Sequence, residues 1–168
     1  RLKECEVGEK AGSRELDEFN MAVGQYHRLL KSQSRHVKQV DVYESPKVQK
    51  AFTDKERELK ARGSDSSQIW VFHGTAKENI EKICAGGFIV ARGSQIVHGA
   101  AYGHGVYTAK GPATPMGYAG DANAVILCLA LPGQKGVQGQ DDSWSPQEDW
   151  MIFKTAEQLW PKYVVWFE

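Results

Sequence analysis

The spacing of hydrophobic and polar positions changes near residue 64. Before this point, apolar residues recur in a strongly charged background at the spacing of amphipathic helices, first over residues 16–30. A second helix is predicted to begin at Pro46, with Ser45 as its N-cap, and to end at Gly63. Between these two helices, the apolar residues of the segment 37–43 fall at 40, 42 and then 43, a spacing that favours a short strand over a helix.

Beyond residue 68, short apolar runs alternate with glycine-rich and polar loops. These runs predict strands over residues 69–72, 124–131, 150–153 and 163–167. The run at 124–131 is apolar on both faces, which is typical of a central strand. After the first strand, Thr75 and Glu78 match a capping box, so a helix is predicted to begin there and to end at Gly86.

The predicted strands are joined by connections too short for repeated strand–helix–strand crossovers. This pattern favours an α+β fold with a mainly antiparallel sheet and a few flanking helices. The 168 residues suit one domain over residues 1–168. We expect a helical and strand lead-in over 1–62 and a core over 68–168.

The amino-acid composition argues against several classes of function. The 21 basic and 21 acidic residues balance, which argues against an obligate electrostatic grip on nucleic acid or on an anionic membrane. No apolar run approaches the ~20 residues that span a bilayer, and residues 1–4 resemble neither a secretory signal nor a lipidation site. Cys5, Cys84 and Cys128 are widely spaced and form no metal cluster with histidine. We therefore expect an intracellular protein, cytoplasmic or nuclear, with no metal.

Three segments carry candidate chemistry. His73, Gly74 and Thr75 lie where a strand turns into a helix, a frequent place for ligand contact. Residues 102–107 combine glycines with tyrosines, and residues 145–150 end a polar loop with two carboxylates. Each segment taken alone also fits a structural role, because histidines at strand ends, paired tyrosines and adjacent carboxylates commonly serve in packing or solvation.

Together and in this order, the segments resemble the catalytic domain of the poly(ADP-ribose) polymerase family, the diphtheria-toxin-like ADP-ribosyltransferases. Residues 72–75 are similar to the family's Phe-His-Gly-Ser/Thr, and residues 103–109 to its Gly-Lys-Gly-Ile-Tyr-Phe-Ala. Tyr118 falls at the spacing of the family's second stacking tyrosine. Residues 150–163 resemble its closing strand and the Gln-x-x-Pro-x-Tyr stretch. The resemblance covers nearly the whole chain and implies the split-sheet ADP-ribosyltransferase fold.

The resemblance also implies that NAD⁺ is the co-substrate, and it carries roles over to individual residues. Gly74 would hold the nicotinamide amide through its backbone, and the missing side chain would let the ligand come close. His73 would bind the adenosine ribose, while Tyr107 and Tyr118 would stack on the cationic nicotinamide ring. The implied NAD⁺-binding set is His73, Gly74, Thr75, Asn79, Tyr107 and Tyr118.

Two positions depart from the family pattern. The family has a catalytic Glu immediately before the closing strand, and the strand register places Asp149 there, with Glu148 one residue earlier. Successive strand residues face opposite ways, so register favours Asp149, whereas a bulge would present Glu148. The Ser or Thr that precedes the second tyrosine by three residues is replaced by Pro115, next to Thr114.

The function implied is transfer of ADP-ribose from NAD⁺ to a protein or nucleic-acid acceptor, with no membrane partner. The short loop 133–147 favours mono- over poly-transfer, because it offers little surface for a growing polymer. NAD⁺ hydrolysis and a non-catalytic NAD⁺- or ADP-ribose-binding module stay open as alternatives. One cation is expected to meet the pyrophosphate, with Lys77, Arg92 and Lys110 as candidates. His104 and Trp144 have both ligand-side and structural interpretations.

Overall fold

The computed structural model describes residues 2–3, 14–29, 35–90 and 101–168, and it has the predicted α+β architecture. The helices are α1 (Arg14–Leu29), α2 (Pro46–Ala61), α3 (Lys77–Gly86) and α4 (Ala113–Tyr118). The strands are β1 (Leu2–Lys3), β2 (Val37–Val42), β3 (Ile69–His73), β4 (Val106–Ala109), β5 (Ala124–Ala130), β6 (Ser143–Trp144), β7 (Trp150–Phe153) and β8 (Leu159–Phe167). Short 3-10 helices occupy Gly120–Ala122 and Ala156–Gln158.

The strands form one sheet in the order β1-β2-β8-β5-β3-β4-β7-β6, and all neighbouring named strands are antiparallel. The interior position of β5, between β8 and β3, confirms the prediction of a central strand. Its side chains alternate between two apolar clusters, with Val125 and Leu127 in one and Ile126 and Cys128 in the other. Both faces of the sheet are therefore covered, and β5 lies at the centre of the core.

The sheet is nearly divided between β3 and β4. A single residue pair, Phe72 with Ala109, connects these two strands, whereas β3 pairs with β5 along its whole length. Strands that diverge leave room between them for side chains and ligands. The sheet therefore has a five-stranded and a three-stranded part, as a split-sheet fold requires, and His73 lies at the point of divergence.

The helix α2 begins and ends as its sequence predicts. The Ser45 side chain accepts a hydrogen bond from the backbone N–H of Val48, and Pro46 occupies the first turn. At the other end, Gly63 has a φ of +70°, a left-handed conformation that glycine adopts without strain. The helix buries Val48, Phe52 and Leu59 against the rest of the fold.

The predicted capping box at the start of α3 is wrong. The N-cap is Ala76, which has no side chain able to cap, and the helix begins at Lys77. Thr75 precedes the N-cap, and its hydroxyl lies 3.4 Å from the Asn79 amide nitrogen instead. The short elements α4, β1, β4 and β6 were not predicted either. Helix α4 contains Pro115 and Gly117, two poor helix formers, so its sequence gives no periodic signal.

The structure also differs from the prediction at β8, which begins at Leu159, four residues before the predicted strand. No helix in the described parts of the chain is both long and apolar enough to cross a bilayer.

Candidate active site

A cleft of about 910 Å³ opens where β3 and β4 separate, between the start of α3 and helix α4. All six residues of the implied NAD⁺-binding set line it, although they come from four different elements and the loops between them. They are His73, Gly74, Thr75, Asn79, Tyr107 and Tyr118. The tertiary structure therefore brings together residues that the sequence separates by up to 45 positions, from 73 to 118.

His73 is held in one orientation by two neighbours. Its Nδ1 atom lies 2.8 Å from the carbonyl oxygen of Tyr107, and because a carbonyl can only accept, Nδ1 carries the proton. The ring also packs edge-to-face on Phe88, with centroids 4.9 Å apart. Burial lowers the pKa of His73, and the hydrogen bond to Tyr107 only partly opposes this, so the ring is neutral near pH 7. The Nε2 atom is then an acceptor suited to a ligand hydroxyl.

Gly74 is required by the protein's own backbone. A Cβ atom at this position would lie 1.8 Å from the carbonyl oxygen of Pro115, far inside van der Waals contact. The end of β3 and helix α4 can therefore approach each other only through a glycine. Pro115 is largely buried and has no hydroxyl, and it lines the cleft together with its neighbour Thr114.

Tyr107 and Tyr118 are fixed in different ways. The Tyr107 hydroxyl donates to the carbonyl of Gly103 at 2.8 Å and accepts from the backbone N–H of Tyr102 at 3.2 Å. Burial is the main reason that the pKa of Tyr107 is raised, so its hydroxyl stays protonated. Tyr118 ends α4 and keeps half of its surface exposed, at 50%. Tyr107 thus forms a rigid wall of the cleft, and Tyr118 forms a wall that is half exposed to solvent.

The two candidate carboxylates lie at the margin of the cleft. Asp149 accepts a hydrogen bond from the Thr114 hydroxyl at 2.6 Å, so it contacts a residue that lines the cleft. Glu148 is exposed, and its backbone carbonyl accepts from the Lys110 ammonium at 2.9 Å. Among the residues described by the structure, neither carboxylate lines the cleft itself.

Trp150, the first residue of β7, lies next to both tyrosines. It pairs with Ala109, and Ile152, two residues on, pairs with Tyr107, so Trp150 and Tyr107 share one face of the sheet. Asp149 precedes the strand, and its carboxylate is bound to the Thr114 hydroxyl. The sequence signal for the residue that faces the tyrosines is the register of β7. A shift of one residue in the start of this strand would put Asp149 on that side in place of Trp150.

The charged residues around the cleft differ from the expected set. Lys110 binds the Glu148 carbonyl, Lys77 borders a neighbouring hollow of about 230 Å³, and Arg92 lies outside the described residues. Lys82 lines the cleft and was not foreseen. It follows Glu78 on the same side of α3, and Glu78 also lines the cleft.

His104 and Trp144 have different positions. His104 is an exposed residue of the cleft wall. Trp144 is buried, and its indole N–H donates to the Tyr102 carbonyl at 2.6 Å, so it anchors the segment that leads into β4. In the described parts of the chain, no three His, Cys, Asp or Glu residues are grouped as metal ligands.

Comparison with known proteins agrees with this geometry. The family model of the poly(ADP-ribose) polymerase catalytic domain matches residues 13–134, more than half of the chain. No curated protein matches the chain. The matched region includes His73, Tyr107 and Tyr118 and ends before Asp149. The predicted family is therefore confirmed, and it is a family of ADP-ribosyltransferases whose substrate is NAD⁺.

Proposed function

The chain belongs to the poly(ADP-ribose) polymerase catalytic-domain family, and from this premise we propose that it transfers single ADP-ribosyl units from NAD⁺ to an acceptor. The observation that carries the proposal is one cleft that combines the neutral His73, the aromatic walls Tyr107 and Tyr118, and an indole, Trp150, beside both tyrosines. The first three residues support binding and orientation of NAD⁺. Trp150 supports the transfer of a single ADP-ribosyl unit.

In this proposal the cleft binds NAD⁺ at both ends. The Nε2 atom of His73 accepts from an adenosine-ribose hydroxyl, because Nδ1 is committed to Tyr107. The nicotinamide ring stacks on Tyr107 and Tyr118, and its amide bonds to the backbone of Gly74. Lys82 is the cation placed to meet the pyrophosphate.

The reaction breaks the bond between the nicotinamide nitrogen and the ribose anomeric carbon, and the bonding electrons leave with nicotinamide. The acceptor's nucleophilic atom forms the new bond to that carbon and loses its proton to the surrounding base or solvent. Positive charge develops on the sugar in the transition state and is stabilised by a nearby carboxylate. Asp149 is the better candidate for this role than Glu148, because its hydrogen bond to Thr114 holds it beside the cleft.

Single transfer follows from the chemistry of Trp150. Elongation needs an acceptor site that binds and orients a hydroxyl of the ADP-ribose already attached. An indole offers one N–H donor and no acceptor, so it cannot take a proton from a hydroxyl. A protein side chain brings its own nucleophile and depends less on a group in the cleft that takes a proton. We therefore propose a protein acceptor first, with a nucleic-acid end as the alternative.

The test is incubation of the purified chain with NAD⁺ carrying a label in its adenylate part, with and without candidate acceptors. We expect nicotinamide release and labelled acceptor bearing one unit, seen as a single mass increment. Chains of several units would contradict mono-transfer. Free ADP-ribose as the sole product would indicate hydrolysis instead. Tyr118→Ala should reduce both signals roughly tenfold or more at NAD⁺ concentrations below the wild-type Kd, and unchanged turnover in that variant would contradict the site.

A second candidate is an NAD⁺-binding module without turnover. It is favoured by the observation that neither Asp149 nor Glu148 lines the cleft among the described residues. Intact NAD⁺ recovered from the cleft after long incubation, with no nicotinamide released, would select this candidate.

An intracellular location is part of the proposal, supported by Cys84 and Cys128, which are buried and not disulfide-bonded.

A further inference from the structure

We propose that Trp150 is a specificity-determining residue, which makes the base end of the cleft select the positively charged ring of intact NAD⁺ over neutral rings of the same shape. The inference rests on the proposed function for the identity of the ligand. It adds a third aromatic wall, contributed by β7, to the two tyrosines that the sequence pattern indicates.

The geometry places the indole against both tyrosines. The Trp150 ring centroid lies 5.8 Å from that of Tyr107 and 5.8 Å from that of Tyr118, at interplanar angles of 78° and 85°. A third ring, Tyr102, lies 6.0 Å away at 69°. Trp150 therefore stands roughly perpendicular to the rings around it and lies beside both tyrosines of the cleft. Its side chain is only partly buried and lines the cleft.

The position of Trp150 is set by the backbone. The residue begins β7 opposite Ala109, a small buried side chain that leaves room above the sheet for the indole. The preceding residue, Asp149, is tied to Thr114, and its backbone carbonyl accepts from the Lys110 N–H at 2.8 Å. The start of β7 is thus held by Thr114 and by Lys110, and these bonds fix the place of the Trp150 ring in the cleft.

The chemistry follows from the charge of the ligand. In NAD⁺ the nicotinamide ring carries a positive charge, and after cleavage the released nicotinamide is neutral. The electron-rich faces of aromatic rings attract cations, and tryptophan has the strongest such attraction among the side chains. A carboxylate at this place would stabilise the sugar cation of the transition state, whereas an indole stabilises the ring cation of the substrate. Trp150 therefore strengthens NAD⁺ binding and does little to retain nicotinamide.

The experiment uses two small rings of the same shape and different charge. One is nicotinamide methylated at its ring nitrogen, which is a cation, and the other is meta-toluamide, in which a carbon replaces that nitrogen. Calorimetry gives the Kd of each for the wild-type chain, Trp150→Leu and Trp150→Phe. Trp160→Leu is the matched control, because Trp160 packs on Phe52 outside the cleft.

We expect the wild-type chain to prefer the cation, and Trp150→Leu to lose about fivefold to tenfold of that preference. Trp150→Phe should keep an intermediate preference, and Trp160→Leu should keep all of it. An unchanged ratio in Trp150→Leu would overturn the proposal, even if NAD⁺ binds and turns over as before. Failure of NAD⁺ itself to bind the wild-type chain would instead refute the proposed function. If Trp150→Leu does not fold, the ratio measured for Trp150→Phe decides.

Discussion

The Nδ1 atom of His73 donates a hydrogen bond to the carbonyl oxygen of Tyr107 across 2.8 Å, at the place where the two parts of the sheet separate. One bond therefore does two things. It adds a side-chain link beside the single backbone pair between β3 and β4, and it fixes which nitrogen of the imidazole faces the cleft. The stability of the cleft and its affinity for a ribose hydroxyl are coupled through this ring.

The first prediction concerns pH. The folded-state pKa of His73 lies below its ordinary value of 6.5, so the unfolded chain binds the proton more readily than the folded one. The stability that the neutral ring contributes is fully present above about pH 6.5 and is lost progressively as the pH falls below it. We expect the free energy of unfolding to decrease between about pH 7.5 and about pH 5.5.

The check is urea denaturation at several pH values, with His73→Gln as the comparison. Glutamine keeps a polar group at this place and does not titrate, so the variant should show a flatter dependence over this range. An equal slope in both proteins would show that another group is responsible.

The second prediction concerns Gly74. An added Cβ would meet the Pro115 carbonyl at 1.8 Å, so Gly74→Ala must push α4 away from β3. We expect a loss of roughly 2–3 kcal/mol in the free energy of unfolding, together with loss of NAD⁺ binding. Thermal melting and calorimetric titration with NAD⁺ measure the two effects.

Gly24→Ala is the matched control for this substitution. Gly24 lies within α1, and its added Cβ would meet no atom within 4 Å. The change should be neutral or should stabilise the chain by about 0.5–1 kcal/mol, because alanine is the better helix former. Equal destabilisation by both substitutions would contradict the steric argument.

The third prediction separates the two tyrosines. Tyr118 is half exposed, so Tyr118→Ala should change the melting temperature little while weakening NAD⁺ binding roughly tenfold or more. Tyr107→Phe should do the opposite. It keeps the stacking ring but removes the hydroxyl bound to Tyr102 and Gly103, at a cost of about 1 kcal/mol. Titration and melting of both variants test the contrast, and a parallel loss in both measurements would contradict it.

The fourth prediction concerns the carboxylates. If Asp149 stabilises the sugar cation, Asp149→Asn should lower kcat for nicotinamide release by roughly tenfold to a hundredfold and leave the Kd for NAD⁺ unchanged. Glu148→Gln should have little effect, since its carboxylate is exposed and only its backbone is engaged. The reverse result, with Glu148→Gln impaired, would place Glu148 in the cleft through a local bulge in solution.

Much of the fold could be predicted from the chain itself. The caps of α2, the apolar run of β5 and the spacing of the apolar residues in β2 are local signals, and each element formed where they indicated. Elements without such a signal were missed, as with α4, where Pro115 and Gly117 hide the helix. The predicted capping role of Thr75 was wrong because the N-cap is the next residue, Ala76, and the helix begins at Lys77.

The sequence by itself determined the family and the segments that form the cleft, because His73, Tyr107 and Tyr118 keep a recognisable spacing in motifs that local chemistry makes unusual. Only the tertiary structure decided which residue at the start of β7 faces the tyrosines. That choice depends on the register between β4 and β7, set by long-range backbone pairing. A shift of one residue turns every side chain of the strand over, so local sequence leaves Asp149 and Glu148 as alternatives for the carboxylate, whereas the paired strands place Trp150 in the cleft.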